Sequence, residues 1–98
     1  MSIHVGTVIP IIPKDPNSRL LYGFDWTEWL GSANILTSQW IVPAGVTADQ
    51  ETNTAKITQV RIAGGTVGTT YTVTNRITTN ETPDQIEDRS FKLKIKDL

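Results

Sequence analysis

Strict alternation of apolar and polar side chains limits this chain to folds built from half-buried β-strands. In Phe91–Lys96, apolar residues alternate with lysines at every position. Because successive side chains of a strand point to opposite faces, this segment buries one face and exposes the other. The lysines are expected to lie at a sheet surface and to discourage edge pairing. Thr70–Thr79 shows the same period and predicts a second half-buried strand.

The rest of the chain also favours strands over helices. Fifteen threonines, together with many valines and isoleucines, load the sequence with β-branched residues, which lose rotamer freedom in helices and pack well on pleated sheets. Asp25–Leu30 is compatible with a helical turn or with an aromatic-rich strand or bend. Asn80–Asp88 is a polar connection to the last strand. Three further strands are predicted: Leu20–Trp26, Ile35–Val42 and Ala55–Ala63.

Short strands without a crossover helix require antiparallel pairing, and two sheets then face each other to bury one side of each. The predicted fold is therefore all-β, an immunoglobulin-like antiparallel β-sandwich over residues 20–98, preceded by an extended N-terminal arm over residues 1–19. The alternation predicts the following buried residues: Trp40, Val60, Ile62, Tyr71, Val73, Ile77, Phe91, Leu93 and Ile95.

Size and charge exclude several classes of function. A chain of 98 residues forms one small core, which leaves little room for a deep substrate cleft. The net charge of −1, with scattered basic residues, provides no field to attract nucleic acid. Neither a signal peptide nor a membrane span is expected, since Gly6, Pro10 and Pro13 interrupt the N-terminal apolar stretch. Cysteine is absent, which removes thiol chemistry and disulfides.

No residue pattern predicts catalysis or a bound cofactor. His4 is the one histidine, and it has no neighbouring nucleophile or second ligand. No serine lies in a nucleophile-elbow pattern. Asp84, Glu87 and Asp88 are acidic, but they lack the register and central glycine of a calcium loop. We therefore expect neither an enzyme, a cofactor nor a metal site, and a polar hairpin loop explains the acidic residues.

The aromatic residues allow two interpretations. Asp25 and Glu28 flank tryptophans, and aromatic faces can stack on sugar rings, so a carbohydrate-binding surface is one alternative. Trp26, Trp29 and Trp40 are, however, more often core residues, and packing is the favoured interpretation.

Tyr71 follows the turn at Gly68, just inside a strand, which is the sequence form of a tyrosine corner. Its predicted role is structural: the ring is buried and the hydroxyl is hydrogen-bonded to a backbone group.

A set of short motifs, taken together, resembles the fibre-tail adaptor family of tailed bacteriophages, from about Lys14 to Ile95. The motifs are Lys14-Asp15-Pro16-Asn17, Tyr22-Gly23-Phe24-Asp25-Trp26, Trp29-Leu30, Ser38-Gln39-Trp40, Val42-Pro43-Ala44-Gly45, Gly64-Gly65-Thr66, Gly68-Thr69-Thr70-Tyr71-Thr72-Val73-Thr74-Asn75 and Asp88-Arg89-Ser90.

The resemblance implies a structural virion protein, made in the host cytoplasm and present in several symmetric copies. It would link a tail or neck protein to a receptor-binding fibre through protein contacts, without enzyme activity or a small-molecule substrate. A capsid decoration or cement subunit and a carbohydrate-binding β-sandwich module are the alternatives.

The chain differs from the resembled pattern in Met1–Pro13 of the arm and in the loop from Glu81 to Glu87, and the apolar part of the arm is the predicted partner-binding segment. Its apolar residues are poorly suited to solvent, while Gly6, Pro10 and Pro13 prevent a regular central strand. We expect the arm to add to the sheet edge of another subunit, and residues 14–98 to fold without it. The predicted contact residues are Val5, Val8, Ile9, Ile11 and Ile12.

Overall fold

The computed structural model describes residues 9–98, which form two packed β-sheets. One sheet has four strands in the order β1-β7-β6-β3, and the other has three in the order β2-β5-β4. No helix within residues 9–98 has the length and hydropathy to cross a membrane. The elements are β1 (Ile11–Lys14), β2 (Arg19–Asp25), α1 (Thr27–Leu30), β3 (Ile35–Ile41), β4 (Val46–Asn53), β5 (Ile57–Gly64), β6 (Thr70–Thr79) and β7 (Ile86–Ile95).

The all-β sandwich is confirmed, and its core lies between the inner faces of the two sheets. Every residue that the alternation predicted to be buried is buried. Aromatic rings fill the centre: Phe24 stacks on Trp40 with centroids 5.9 Å apart, and Tyr22 stacks on Phe91 at 5.4 Å. Seven strands in two sheets are also what an immunoglobulin-type domain has, and the immunoglobulin-like label stays a prediction.

A second apolar cluster forms around the helical turn α1, which the sequence left undecided between a turn and a bend. The carboxylate of Asp25 accepts a hydrogen bond from the backbone N–H of Thr27 at 3.0 Å, an Asx turn that starts the helix. The turn folds its apolar side chains against β3 and β6. The buried members are Trp26, Trp29, Leu30, Ala33, Ile35 and Ile77.

The strand β4 was not predicted from the sequence, and the position of β7 in its sheet was predicted wrongly. Only Val46 is buried along β4, so this edge strand has almost no apolar period. The strand β7 starts at Ile86, and the connection that precedes it is shorter than predicted. The lysines of β7 do not mark an edge, because β1 pairs with this strand on the side away from β6. The pairing of β1 with β7 is parallel, so the prediction of purely antiparallel sheets was wrong.

The strand β1 also changes the division between arm and sandwich. Ile11–Lys14 pairs with β7 in the register Ile11 to Lys92 and Lys14 to Ile95. The sheet therefore includes four residues of the segment that was predicted to be an arm. Pro13 is tolerated because β1 is an edge strand, where a missing N–H can face solvent, and Pro10 lies just before the first residue of β1.

Candidate interaction surface

Tyr71 holds together the end of the sandwich at which β1 ends, near Lys14. Its hydroxyl accepts a hydrogen bond from the backbone N–H of Thr66 at 3.1 Å. Its ring lies where glycines leave space: a Cβ on Gly45 would come within 2.7 Å of the ring, and one on Gly65 would come within 2.6 Å of Ile95. Both glycines also have positive φ angles, 106° in each case, which L residues rarely adopt. Tyr71 is buried as predicted, and these contacts suit a structural role.

Lys14 fastens β1 to the same end of the molecule. Its side chain is 1% exposed, and Nζ donates hydrogen bonds to three backbone carbonyls, of Asp15, Ser18 and Gly64, at 2.9, 2.8 and 2.7 Å. All three N–H donors of the ammonium are thereby used. Burial lowers the pKa of Lys14, and the neighbouring Asp15 carboxylate partly opposes this. The last residue of β1 is thus tied to both the β1–β2 turn and the end of β5.

Asn75 links the two sheets inside the core. Its Oδ1 accepts hydrogen bonds from Trp26 Nε1 at 3.0 Å and from Thr58 Oγ1 at 2.7 Å. Its Nδ2 donates to Ser38 Oγ at 3.0 Å and to the Gln39 carbonyl at 3.1 Å. Because Asn75 is on β6 and Thr58 is on β5, this buried amide fixes how one sheet lies on the other. The period of two places Asn75 on the inner face of β6, but it gives no signal for the partners of the amide.

The structure separates the residues of the predicted arm. Val5 and Val8 lie outside the described residues. Ile9 and Ile11 are 43% and 62% exposed, whereas Ile12 packs against the core. The alternation along β1 therefore turns Ile11 outward and Ile12 inward, so the five residues do not share one surface.

The free edge of β1 is poorly suited to accept another strand. The backbone N–H groups of Lys92 and Lys96 donate to the carbonyls of Pro10 and Lys14 at 2.8 and 2.9 Å. Alternate residues of a strand bond to the same neighbour, so residues 11 and 13 face the open side. Pro13 has no N–H to offer there.

The four-stranded sheet also presents a broad outer face, formed by the side chains that point away from the core. Its centre carries the ion pair of Arg76 and Asp88, with contacts of 2.8 and 3.0 Å, beside the hydroxyl pair of Thr74 and Ser90. Threonines surround this centre. Three exposed apolar side chains lie on the same face: Ile11, Ile41 and Ile86.

The tryptophans form no sugar-binding platform. Trp26, Trp29 and Trp40 are at most 7% exposed, so none offers a ring face to a pyranose. The guanidinium of Arg89 lies 4.3 Å from the ring centroid of Trp26. A depression of about 320 Å³ beside it is lined by Asp25, Thr27, Glu28 and Arg89. This depression has no exposed aromatic surface, and the structure gives the carbohydrate-binding alternative no support.

The acidic residues near the β6–β7 connection are separated by their contacts. Asp88 is occupied by Arg76, and Glu87 accepts a hydrogen bond from the backbone N–H of Asp88 at 3.1 Å. Asp84 lines a different depression. Within residues 9–98, no three His, Cys, Asp or Glu side chains are close enough together to hold a metal ion.

The fold defines a small all-β sandwich protein with two outer sheet faces. A protein family described as "Podophage GP4 fiber-tail adaptor protein gp77" matches residues 14–94. The match covers most of the chain, and the chain belongs to this family. A search of curated proteins finds no match. Membership makes the protein a structural component of a phage tail, and therefore of the virion, and implies contacts with other tail or fibre proteins. Residues 1–13 lie outside the matched range.

Proposed function

We propose that this protein joins the tail of a podophage to its receptor-binding fibres through protein contacts, in several copies around the tail axis. The neck is the other position that this role allows. It acts by binding, without catalytic turnover, and its partners are virion proteins rather than nucleic acid or a membrane. The residues proposed to contact them are those of the arm, from Val5 to Ile11.

The observation that carries this proposal is the way β1 presents the arm. Lys14 and the pairing with β7 hold β1 in place, while Ile9 and Ile11 remain 43% and 62% exposed. Apolar side chains that a fixed strand holds in solvent suit a protein interface. Repetition of a small contact around a symmetric tail multiplies its strength, because tethered copies bind at high effective concentration.

A short deletion tests the arm. Removing residues 1–13 would also remove three of the four residues of β1 and expose β7 to solvent, so the informative variant lacks residues 1–8 only. We expect it to melt at nearly the temperature of the intact chain and to be missing from purified particles. Normal incorporation of this variant would exclude the arm as the attachment segment.

A matched pair of substitutions tests the exposed residues. Ile11→Ser changes a side chain that is 62% exposed, and Leu21→Ser changes one that is 59% exposed on the other sheet. Neither is expected to alter stability by more than about 0.5 kcal/mol. We expect Ile11→Ser alone to reduce incorporation and fibre attachment, measured by quantitative blotting and by electron microscopy of the particles. Density on the capsid shell instead of the tail would favour the decoration alternative and overturn the proposal.

A further inference from the structure

The four edge strands of the two sheets differ in how they are protected from further pairing. Natural edges are usually blocked by proline, charge or a bulge. Pro13 interrupts β1. In β4 the pairing shifts between Asp49 and Thr52, and Gln50 there has a φ of 53°. The strand β2 has neither proline nor a bulge, although it begins with Arg19 and ends with Asp25. The strand β3 has no proline, and its one register shift lies at its start, between Ile35 and Thr37.

The strand β3 is the least protected of the four. Its sequence has no charged residue, and its pairing with β6 is regular from Thr37 to Ile41. On its other side, no strand within residues 9–98 pairs with it. At the start of β3 the N–H of Ile35 already donates to the carbonyl of Ala55 at 2.9 Å. The rest of the edge, from Leu36 to Ile41, is what β3 offers to an incoming strand.

A pocket beside the start of β3 is a second feature that fits an added segment. It has a volume of about 390 Å³ and is lined by Leu36 and by the β6–β7 connection from Thr79 to Asp84, including Pro83. Leu36 is 63% exposed. Glu81, also in the lining, has a buried carboxylate oxygen, Oε1, with no hydrogen-bond partner among the described residues. Added strands gain specificity from pockets of this kind. The depression at the end of β2 is instead lined by three charged side chains and a threonine.

We propose that β3 of one copy accepts residues 1–8 of the neighbouring copy as an added strand. This inference rests on the proposed adaptor function and names the surface that receives the arm. The segment has no charged residue other than a titratable histidine and no proline. Its eight residues extend to about 26–29 Å, which exceeds the roughly 17 Å of a five-residue strand.

The geometry requires two copies. Within one chain, the arm leaves from β1, and three strand spacings of about 4.8 Å separate β1 from β3. Reaching the far side of β3 takes about 19 Å, which leaves fewer than about three of the eight residues to pair. Because the donor and the acceptor lie at opposite edges of one sheet, copies join head to tail. Head-to-tail contacts close into rings when the rotation permits, as an adaptor around a tail axis would require.

Cysteine cross-linking tests the placement directly, since the chain has no cysteine of its own. Particles are assembled from a mixture of two versions and then oxidised. One version carries His4→Cys or Val5→Cys, which covers both faces of the added strand, and the other carries Thr37→Cys, Gln39→Cys or Ile41→Cys. We expect disulfide-linked pairs of chains at one or two β3 positions. Thr72→Cys, on central strand β6, is the control and is expected to form none.

The same cross-linking distinguishes the competing site. The strand β2 is in the other sheet, about 10 Å away, and residues 1–8 of the same chain can reach it. A double variant with Val5→Cys and Leu21→Cys reports that arrangement. A bond between these two cysteines within one chain, or the absence of any bond to β3, overturns the inference.

A charge at the acceptor edge gives an independent readout. Gln39→Lys places a lysine on the edge strand, and Thr72→Lys makes the same change of charge on the central strand, at a position also exposed on the outer face. With thermal melting unchanged in both, we expect Gln39→Lys alone to lose incorporation. If deletion of residues 1–8 abolishes incorporation but Gln39→Lys has no effect, the adaptor function stands and β3 is the wrong acceptor. If neither change has an effect, the arm-mediated attachment itself is wrong.

Discussion

Replacing Asn75 with alanine tests whether a buried amide holds the two sheets in place. Two hydrogen-bond donors, the indole N–H of Trp26 and the hydroxyl of Thr58, would lose the acceptor that they share. Both residues are fully buried. A buried donor left without a partner costs about 1–3 kcal/mol. The partly exposed Ser38 can turn to water, so its loss is small.

At about 1.5 kcal/mol for each of the two donors, the loss is about 3 kcal/mol, and the lost volume of the amide adds to it. That is a large fraction of the roughly 5–15 kcal/mol that stabilises a small domain. It corresponds to a fall in melting temperature of roughly 12–24 °C for a chain of this size. The loss should appear in urea denaturation followed by far-ultraviolet circular dichroism.

Thr58→Val completes a double-mutant cycle. Because Asn75 and Thr58 share one hydrogen bond, their effects should be non-additive by about 0.5–3 kcal/mol. Thr72→Ala, on the exposed face of the same strand, is the control and should change stability by less than about 0.5 kcal/mol. A loss below about 1 kcal/mol for Asn75→Ala, or strictly additive effects in the cycle, would show that the amide does not couple the sheets.

Three further substitutions probe the core at Trp40, the hydrogen bond of Tyr71 and the carboxylate of Asp15. Trp40→Ala should cost about 3–5 kcal/mol in a denaturation experiment, and an unchanged midpoint would contradict its inward placement. Tyr71→Phe should lose about 1 kcal/mol with the same fold; full stability together with lost particle incorporation would instead make Tyr71 a contact residue. Hydrogen bonds from the backbone N–H groups of Asn17 and Leu98 lower the pKa of Asp15. Its contribution is therefore present above the ordinary aspartate pKa and is lost as the pH falls through the lowered value, so Asp15→Asn should flatten the acid limb of a stability-against-pH curve.

The sequence predicted those parts of the fold in which one face of a strand is apolar. In β6 and β7, burial follows the period of two so closely that Tyr71, Val73 and Leu93 could be assigned to the core from the pattern alone. The same criterion failed for β4, because its inner side holds little more than Val46 and Ala48. An edge strand of this kind is held by its backbone hydrogen bonds to β5 and leaves no apolar period to detect.

The hydrogen-bond partners of buried polar groups could not be predicted from the sequence, for a different reason. Lys14 and Asn75 are placed by partners that are distant along the chain, such as Gly64 for the lysine and Trp26 for the amide. A lysine is rarely buried unless it is paired, so any prior from composition places Lys14 in solvent. Two local carbonyls, of Asp15 and Ser18, are joined by that of Gly64 only after both sheets have formed, and the three together reverse that preference.

The predicted arm failed as a single unit because alternation gives neighbouring residues different roles. Ile12 points into the core and contributes to the stability of the sandwich, while Ile11 points away from it on the same strand. Prolines at 10 and 13 exclude a central strand but suit an edge, so the same residues that suggested a detached arm permit β1. The strand that completes the four-stranded sheet therefore also holds the proposed partner-binding segment. A pull on that segment would act on the sheet through β7 and through the carbonyls that bind Lys14. A segment whose attached strand is hydrogen-bonded into a sheet transmits force to the whole sandwich. A detached arm that ended at residue 19 would transmit force only to the start of β2.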